Sequence, residues 1–308
     1  MSDSRPADQS FESQIPKGQD GNNKDNAWNP LGQNLMLKLH PYPIVLIRNK
    51  TEIDLIKNCY NERNLKNQYP KCGIKISLFM NSYSMNTEQC IRKNDIHPFF
   101  GDSAFCVAFK AKSFYSLLAT ENPSSSPKYI VISTKLDIRC LFRDYCTGAQ
   151  SELFSITIQL SLIKLLSEDK INGSQFHILF IGFDGESWDN IGSSTFAYDL
   201  VHKEFTPIKD LAPENIEYWI ELGSLGHPDS DFWIHTDPKL YNGEDKEKTD
   251  KIADLIITEF GKNNLKIQKA YNESNPTFPP CSLREIYRHG LKIPGILISD
   301  FNKNYKNK

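Results

Sequence analysis

Glu186 is the side chain of this sequence best placed to do chemistry. It stands in Gly185-Glu186-Ser187-Trp188-Asp189-Asn190-Ile191-Gly192-Ser193, directly after the run Phe176–Phe183 (FHILFIGF). That run has the length and composition of a strand buried on both faces. Such strands belong inside mostly parallel sheets, and ligands of open α/β sheets bind at the carboxyl ends of the strands. A carboxylate there has three possible uses. Beside a metal-activated water it is a general base. In a partly dry cleft it pairs with an ammonium group. At the start of the next helix it satisfies free N–H groups. Asp189 reads as the N-cap of that helix. The stretch has no G-x-S-x-G, so Ser193 and Ser194 do not form a nucleophile elbow. A strand-end carboxylate contributes little core burial, so loss of Glu186 is expected to leave the fold largely intact.

His235 and Asp237 form a second polar pair. H-x-D on a strand puts both side chains on one face, which suits a metal. The sequence offers no third ligand nearby, and Pro238 ends the strand as a surface turn would. His40, His97, His177, His202, His227 and His289 form no cluster. The 7 cysteines include no C-x-x-C pair, which argues against a zinc ribbon or a thioredoxin-like motif. N-x-[ST] sequons occur at Asn49, Asn172 and Asn272, and Asn172 lies in a polar turn where a glycan fits best.

Composition bounds the remaining function classes. With 308 residues, 39% of them hydrophobic, the chain can build one large domain or two smaller ones. The net charge of -2 and the lack of a Lys/Arg run interleaved with aromatics argue against nucleic acid as a partner. No apolar run approaches the roughly 20 residues of a membrane span. Met1 to Pro30 is polar and lacks the pattern of a signal peptide.

The elements that must position Glu186 read as follows. Residues 1–30 have too few apolar side chains to repay ordering and are expected to be a disordered tail. Residues 31–127 form an irregular entry region, with strands at 42–47 and 74–79 and a helix over 52–64. Residues 81–127 carry no regular pattern, and 123–127 is a loop. Residues 128–308 form the core sheet and helices. Strands are expected at 129–133, 176–183, 216–222, 232–235 and 293–299. Thr147 and Gln150 have capping-box form and open a helix to about 166, with Leu153, Ile156, Leu160 and Ile163 inward. Further helices run over 191–200, over 246–260 (Ile252, Leu255, Ile256 and Phe260 inward) and over 282–289, the last ended by Gly290. Strands alternating with helices make βαβ units. The fold class is α/β, a three-layer sandwich with a mixed, mostly parallel sheet.

Three strand-end segments, Thr134-Lys135-Leu136-Asp137, Thr147 to Glu152 and Gly185-Glu186-Ser187, resemble in order and spacing the co-catalytic zinc aminopeptidases. Set against that pattern, a His ligand is replaced by Lys135, Asp137 survives, the bridging Asp is Ser151, the general base is Glu186, the second Glu is Ser187, and a further Asp falls near Gly223. Two metals need about five or six N/O ligands, and one surviving ligand carboxylate cannot hold them. The resemblance therefore implies an aminopeptidase-like fold with no metal, no cofactor and no catalysis; an active zinc aminopeptidase is the alternative from another class.

Residues 176–210 in turn resemble the nicastrin family, which carries Gly-Glu-x-x-Asp-Tyr-Ile-Gly-Ser where this chain has Asn190 in place of Tyr. Trp219 to Gly223, Trp233 to Pro238, Pro279 to Tyr305 and Tyr42 to Tyr60 extend the likeness to roughly 27–308, a nicastrin ectodomain portion. The resemblance implies a substrate-recognition or scaffold subunit of γ-secretase that supports processing of Notch-type and amyloid-precursor-type membrane-protein stubs. Presenilin and the other subunits are the implied partners, and a truncated soluble remnant is the alternative. Residues Glu186, Asp189, Asn190, Ile191, Gly192 and Ser193 are the implied substrate-binding set. Spacing and resemblance together pair Cys59 with Cys72 and Cys90 with Cys106, leave Cys140–Cys146 as a weaker third pair, and leave Cys281 over. The implied place is membrane-associated, with Asn49, Asn172 and Asn272 facing the lumen. The chain as given is expected to lack a signal peptide, a membrane span and, at its front, the family's small lobe.

Overall fold

The computed structural model describes residues 42, 45–75, 112–120, 127–138, 152–168, 175–187, 190–209, 211–226, 231–236, 244–270 and 278–302. The chain divides into two compact units, residues 37–109 and residues 1–36 with 110–308.

In the smaller unit, α1 (Lys50–Cys59) runs into a π-type turn, Tyr60–Asn64. Asn49 caps α1, its Oδ1 accepting from Thr51 N at 3.0 Å. No residue of α1 is buried. The unit is tied instead by a Cys59–Cys72 disulfide, with Cα atoms 6.1 Å apart. Asn64 completes the tie: Cys72 N donates to its Oδ1 at 2.8 Å, and its Nδ2 donates to Cys72 O at 3.0 Å. The expected strand over 42–47 is not formed at 45–47, which pair with no strand among the described residues. An apolar β-branched run becomes a strand only when another strand takes its N–H and C=O groups. Of the expected strand over 74–79, residues 74 and 75 are irregular and the rest lie outside the described residues.

The larger unit is built on a seven-stranded sheet. Its strands are β1 (Phe114–Leu118), β2 (Lys128–Lys135), β3 (Phe176–Phe183), β4 (Ile216–Leu222), β5 (Phe232–His235), β6 (Ile267–Lys269) and β7 (Gly295–Ser299), in the order β1-β3-β2-β4-β7-β5-β6. β3, β2, β4 and β7 run parallel, as do β5 and β6. β1 joins β3, and β5 joins β7, antiparallel. The helices are α2 (Phe154–Glu168), α3 (Ile191–His202), α4 (Glu244–Lys262) and α5 (Ser282–Arg288).

Alternation along the central strands splits the core in two. Val131, Leu179, Ile181, Phe183 and Trp219 pack against Phe196, Ala197 and Leu200 of α3 and against Leu283 and Ile286 of α5. Ile132, Phe180, Leu222, Ile296 and Ile298 pack on the other face against Ile158, Leu162, Ile163 and Leu166 of α2 and Ile252, Ala253, Ile256 and Phe260 of α4. The result is three layers: helices, mixed sheet, helices.

Helix registers depart from expectation. Leu153, just before α2, and Leu160 within it are exposed, and the helix buries Ser155 and Gln159. This helix is apolar on nearly every side, so the pattern allows several rotations. Gln159 selects one, its Nε2 donating to Ile132 O at 2.9 Å and Ile181 O at 3.0 Å across β2 and β3. α4 likewise turns Leu255 outward and places Thr249 and Ala253 inward. The Thr147–Gln150 capping box and the 123–126 loop lie outside the described residues. β1 and β6 stand where no strand was expected.

Candidate functional site

Glu186 lies in the loop between β3 and α3, at the carboxyl end of the sheet. It is only 7% exposed. Its Oε1 accepts from Ser193 N at 2.7 Å. Its Oε2 accepts from Ser193 Oγ at 2.8 Å and from Ser282 Oγ at 2.6 Å. Ser193 sits in the first turn of α3, so Glu186 caps that helix. The residue before α3 is Asn190, in a left-handed conformation (φ 55°) with no capping bond from its own side chain. Asp189, expected as the N-cap, lies outside the described residues; a carboxylate from the preceding loop takes the Ser193 N–H in the first turn. Gly192 allows the close approach: a Cβ there would fall 2.3 Å from Asp184 O.

The loop is held from below by Asp137. Its Oδ1 accepts from Glu186 N at 2.8 Å and its Oδ2 from Ser187 N at 2.9 Å. Ser187 Oγ returns a bond to Asp137 O at 3.1 Å. Lys135, at the end of β2, pairs with the buried Glu152 at 2.5 Å. Gly223 has no side chain, and its carbonyl accepts from Ser155 Oγ. The positions that hold metal in the aminopeptidase pattern thus carry, here, an ammonium, a hydroxyl and a bare backbone. The surviving carboxylate is spent on two backbone N–H groups. Among the described residues no three or more His, Cys, Asp or Glu side chains are grouped to hold a metal ion. Ser151 lies outside the described residues.

A second glutamate joins the cluster. Glu221, 4% exposed at the end of β4, accepts from Ser282 N at 3.0 Å and Leu283 N at 2.7 Å, capping α5. Ser282 therefore links two buried carboxylates, to one through its hydroxyl and to the other through its N–H. Burial pushes the Glu186 carboxyl up to about 7; the Ser282 and Ser193 bonds oppose the rise and the Glu221 charge adds to it. Burial also raises Glu221, against the α5 N–H groups and the Cys281 thiol. Cys281 itself is a buried free thiol, raised by burial and by the Glu221 charge. Nearby, Asn190 Nδ2 reaches Glu285 Oε1 at 3.5 Å, and Ser194 Oγ meets His289 Nε2 at 2.9 Å, joining α3 to α5.

The sequence singled out Glu186, Asn190, Gly192 and Ser193, and the structure brings these together at the start of α3. Ile191 stands at the surface there, 42% exposed. Sequence reading missed Glu221 and Ser282. Glu221 carried a signal: a glutamate inside the apolar run Tyr218-Trp219-Ile220-Glu221-Leu222 needs internal partners if that run is buried. Ser282 carried none, since 96 residues separate it from Glu186. His235 is not part of this cluster. Its buried ring meets Ser299 Oγ at 2.8 Å and Phe301 O at 2.9 Å, and burial pulls its pKa down to about 4. Asp237 lies outside the described residues.

Fold and site define a class: a three-layer α/β domain whose strand-end carboxylates are tied to its own helix starts. A model of the nicastrin large lobe matches residues 128–308, and a model of the nicastrin small lobe matches residues 1–82. Nicastrin of Rattus norvegicus is 27% identical over 300 residues, which cover 92% of this chain and 41% of that protein. Nicastrin of Arabidopsis thaliana is 23% identical over 296 residues, covering 93% and 42%. The crystal structure of the γ-secretase component nicastrin superposes with a TM-score of 0.70 at 21% identity, over 98% of this chain and 54% of that one. A zinc aminopeptidase from Bacillus subtilis is a more distant neighbour, with a TM-score of 0.44 at 15% identity over 63% of this chain and 41% of that one.

The large-lobe match takes in more than half of the sequence, and the chain belongs to the nicastrin family. It spans about two fifths of the length of the nicastrins it matches. The small-lobe match corrects one expectation: sequence of that lobe is present at the front. Detection failed there because residues 1–30 are polar and carry no motif.

Proposed function

We propose that this chain works without catalysis, as a scaffold and substrate-recognition subunit of the γ-secretase intramembrane protease. Its partners are presenilin and the other subunits, and the proteolytic chemistry belongs to presenilin. It faces the lumen or the cell exterior and handles stubs of type I membrane proteins, of the Notch and amyloid precursor kind. Membership of the nicastrin family supports this reading. The observation that carries it is the state of Glu186. A general base needs an activated water, and an amine receptor needs free acceptor oxygens. Glu186 instead gives both oxygens to Ser193 and Ser282.

Of the candidate substrate-binding set, Glu186 and Ser193 act as internal ties, Gly192 permits the close approach, Asn190 reaches Glu285, and Ile191 faces outward. Substrate is handled by the shape this loop gives the surface. The test is co-purification of tagged protein with presenilin, followed by capture of free-amine stubs by complexes carrying Glu186→Gln. Assembly with capture close to wild type is the expected result. Failure to co-purify overturns the subunit reading. Normal assembly with a clear loss of free-amine capture, sparing N-acetylated stubs, overturns handling by shape.

A further inference from the structure

In the smaller unit, the chain leaves α1 and its π-type turn through a short knuckle, residues 63–75. The knuckle carries Arg63, Lys66, Lys71 and Lys75 and no Asp or Glu. All four cations are exposed, and among the described residues none of them meets a carboxylate. Arg63 Nη1 donates instead to Tyr69 O at 3.3 Å, and Lys71 Nζ donates to Asn67 Oδ1. The Lys71 ammonium also stands 5.5 Å from the centroid of the Tyr69 ring, within cation–π range. Tyr69 is 82% exposed, and Leu65 and Ile74 are more than half exposed. None of the three joins either face of the core. The backbone beneath them is nonetheless fixed. The Cys59–Cys72 disulfide closes the knuckle, the Asn64 amide bonds both polar groups of Cys72, and Leu65, Asn67 and Gln68 donate to Tyr60 O, Asn64 O and Arg63 O. A surface ordered before it meets a partner loses little freedom on binding.

We propose that this knuckle docks an acidic protein segment built around an aromatic or aliphatic anchor. The anchor packs on the Tyr69 ring, and carboxylates flanking it meet Arg63 and Lys71. Lys66 and Lys75 add to the positive field that draws the segment in. Tyr and Arg side by side on fixed backbone are the residue types that carry most binding energy at protein interfaces. An anionic lipid surface would meet the same cations. The adjoining α1 and its π-type turn, however, carry Glu52, Asp54 and Glu62, all exposed, and a flat negative surface would press on them. A single segment lies along the knuckle and leaves those carboxylates in water. The docking surface belongs to the smaller unit and stands whether or not the chain is a γ-secretase subunit.

The experiment measures binding of a fluorescein-labelled peptide, Asp-Glu-Phe-Asp-Glu-Leu-Asp-Glu, to the full oxidised chain by fluorescence anisotropy. Saturable binding is expected. It should weaken about tenfold or more with Lys71→Glu and with Tyr69→Ala. It should also fall as salt is raised from about 0.05 to about 0.3 M. The same peptide with Lys in place of every Asp and Glu should not bind. Both variant side chains are exposed and lie outside the disulfide and the asparagine clamp, so mass mapping of an intact Cys59–Cys72 bond separates lost docking from lost folding. No saturable binding, or binding unchanged in Lys71→Glu, overturns the proposal. Equal weakening by Lys164→Glu, an exposed lysine of α2, shows an effect of net charge alone and overturns it as well. Adsorption to phosphatidylcholine vesicles containing phosphatidylserine, lost in Lys71→Glu and unaccompanied by peptide binding, overturns it in favour of a lipid surface.

Discussion

The segment around α1 and the strand-end cluster hold themselves together by opposite means. α1 buries nothing, and a disulfide, an asparagine clamp and an asparagine cap fix it locally. The strand-end cluster lies at the rim of a large apolar core, and its polar groups are bound to one another across 96 residues of sequence. Local ties of the first kind can be cut without consequence elsewhere. Ties of the second kind join β3, β4, α3 and α5, so a change at one is felt at all. Glu186, expected from sequence to contribute little core burial, is buried here and bonded to Ser193 and Ser282.

Four changes would break or sharpen that contrast. The largest effect is expected for Trp219→Ala. The ring is fully buried, lies parallel to Phe183 with centroids 6.4 Å apart, and donates to Ser133 Oγ at 2.8 Å. Truncation should cost about 3–5 kcal/mol of global stability, read by denaturant unfolding. Cys59→Ser should cost about 3 kcal/mol but locally. Hydrogen exchange should show α1 losing protection while β2, β3 and β4 keep theirs. Equal loss in both regions would erase the contrast.

The third change is in pH. The carboxyl of Glu186 is raised in the folded state from 4.5 to about 7. The folded state therefore binds the extra proton, and the stabilisation present below about 4.5 is lost as pH rises through 7. Glu221 shifts in the same direction. His235, lowered from 6.5 to about 4, acts oppositely: its contribution is present above 6.5 and is lost as pH falls through 4. The two opposing slopes overlap between about 4.5 and 6.5, so the Glu186 share is best read as wild type minus Glu186→Gln. That difference should shrink between pH 5 and 8, by about 3 kcal/mol at most. A flat difference would mean that Glu186 is not held in a dry environment. The smallest effect is expected for Ser282→Ala, about 1–2 kcal/mol, since one donor to a buried carboxylate is lost while Ser193 remains.

Much of the fold was legible because buried parallel strands announce themselves. FHILFIGF and YIVIS have no other comfortable state, and β2 and β3 fall where they were expected. β1 and β6 are short strands at the two edges of the sheet, half-covered, and they lack such runs. The rotation of α2 was illegible for a different reason. Leu and Ile occupy nearly all its sides, and a single buried glutamine bonded to two strands decides which faces in. At the site, Glu186, Gly192 and Ser193 were legible because they are neighbours in sequence. The role of Glu186 was not, because Ser282 comes from the far end of the chain.

The central claim is that the strand-end carboxylate serves the framework and performs no hydrolysis. Aminopeptidase turnover by the purified chain, measured with and without added zinc, tests it most directly. The account predicts no turnover above background in either condition, because Lys135, Ser187 and Gly223 offer no ligand where the aminopeptidase pattern requires one. Zinc-dependent turnover that disappears in Glu186→Ala, in a variant shown to remain folded, would contradict it.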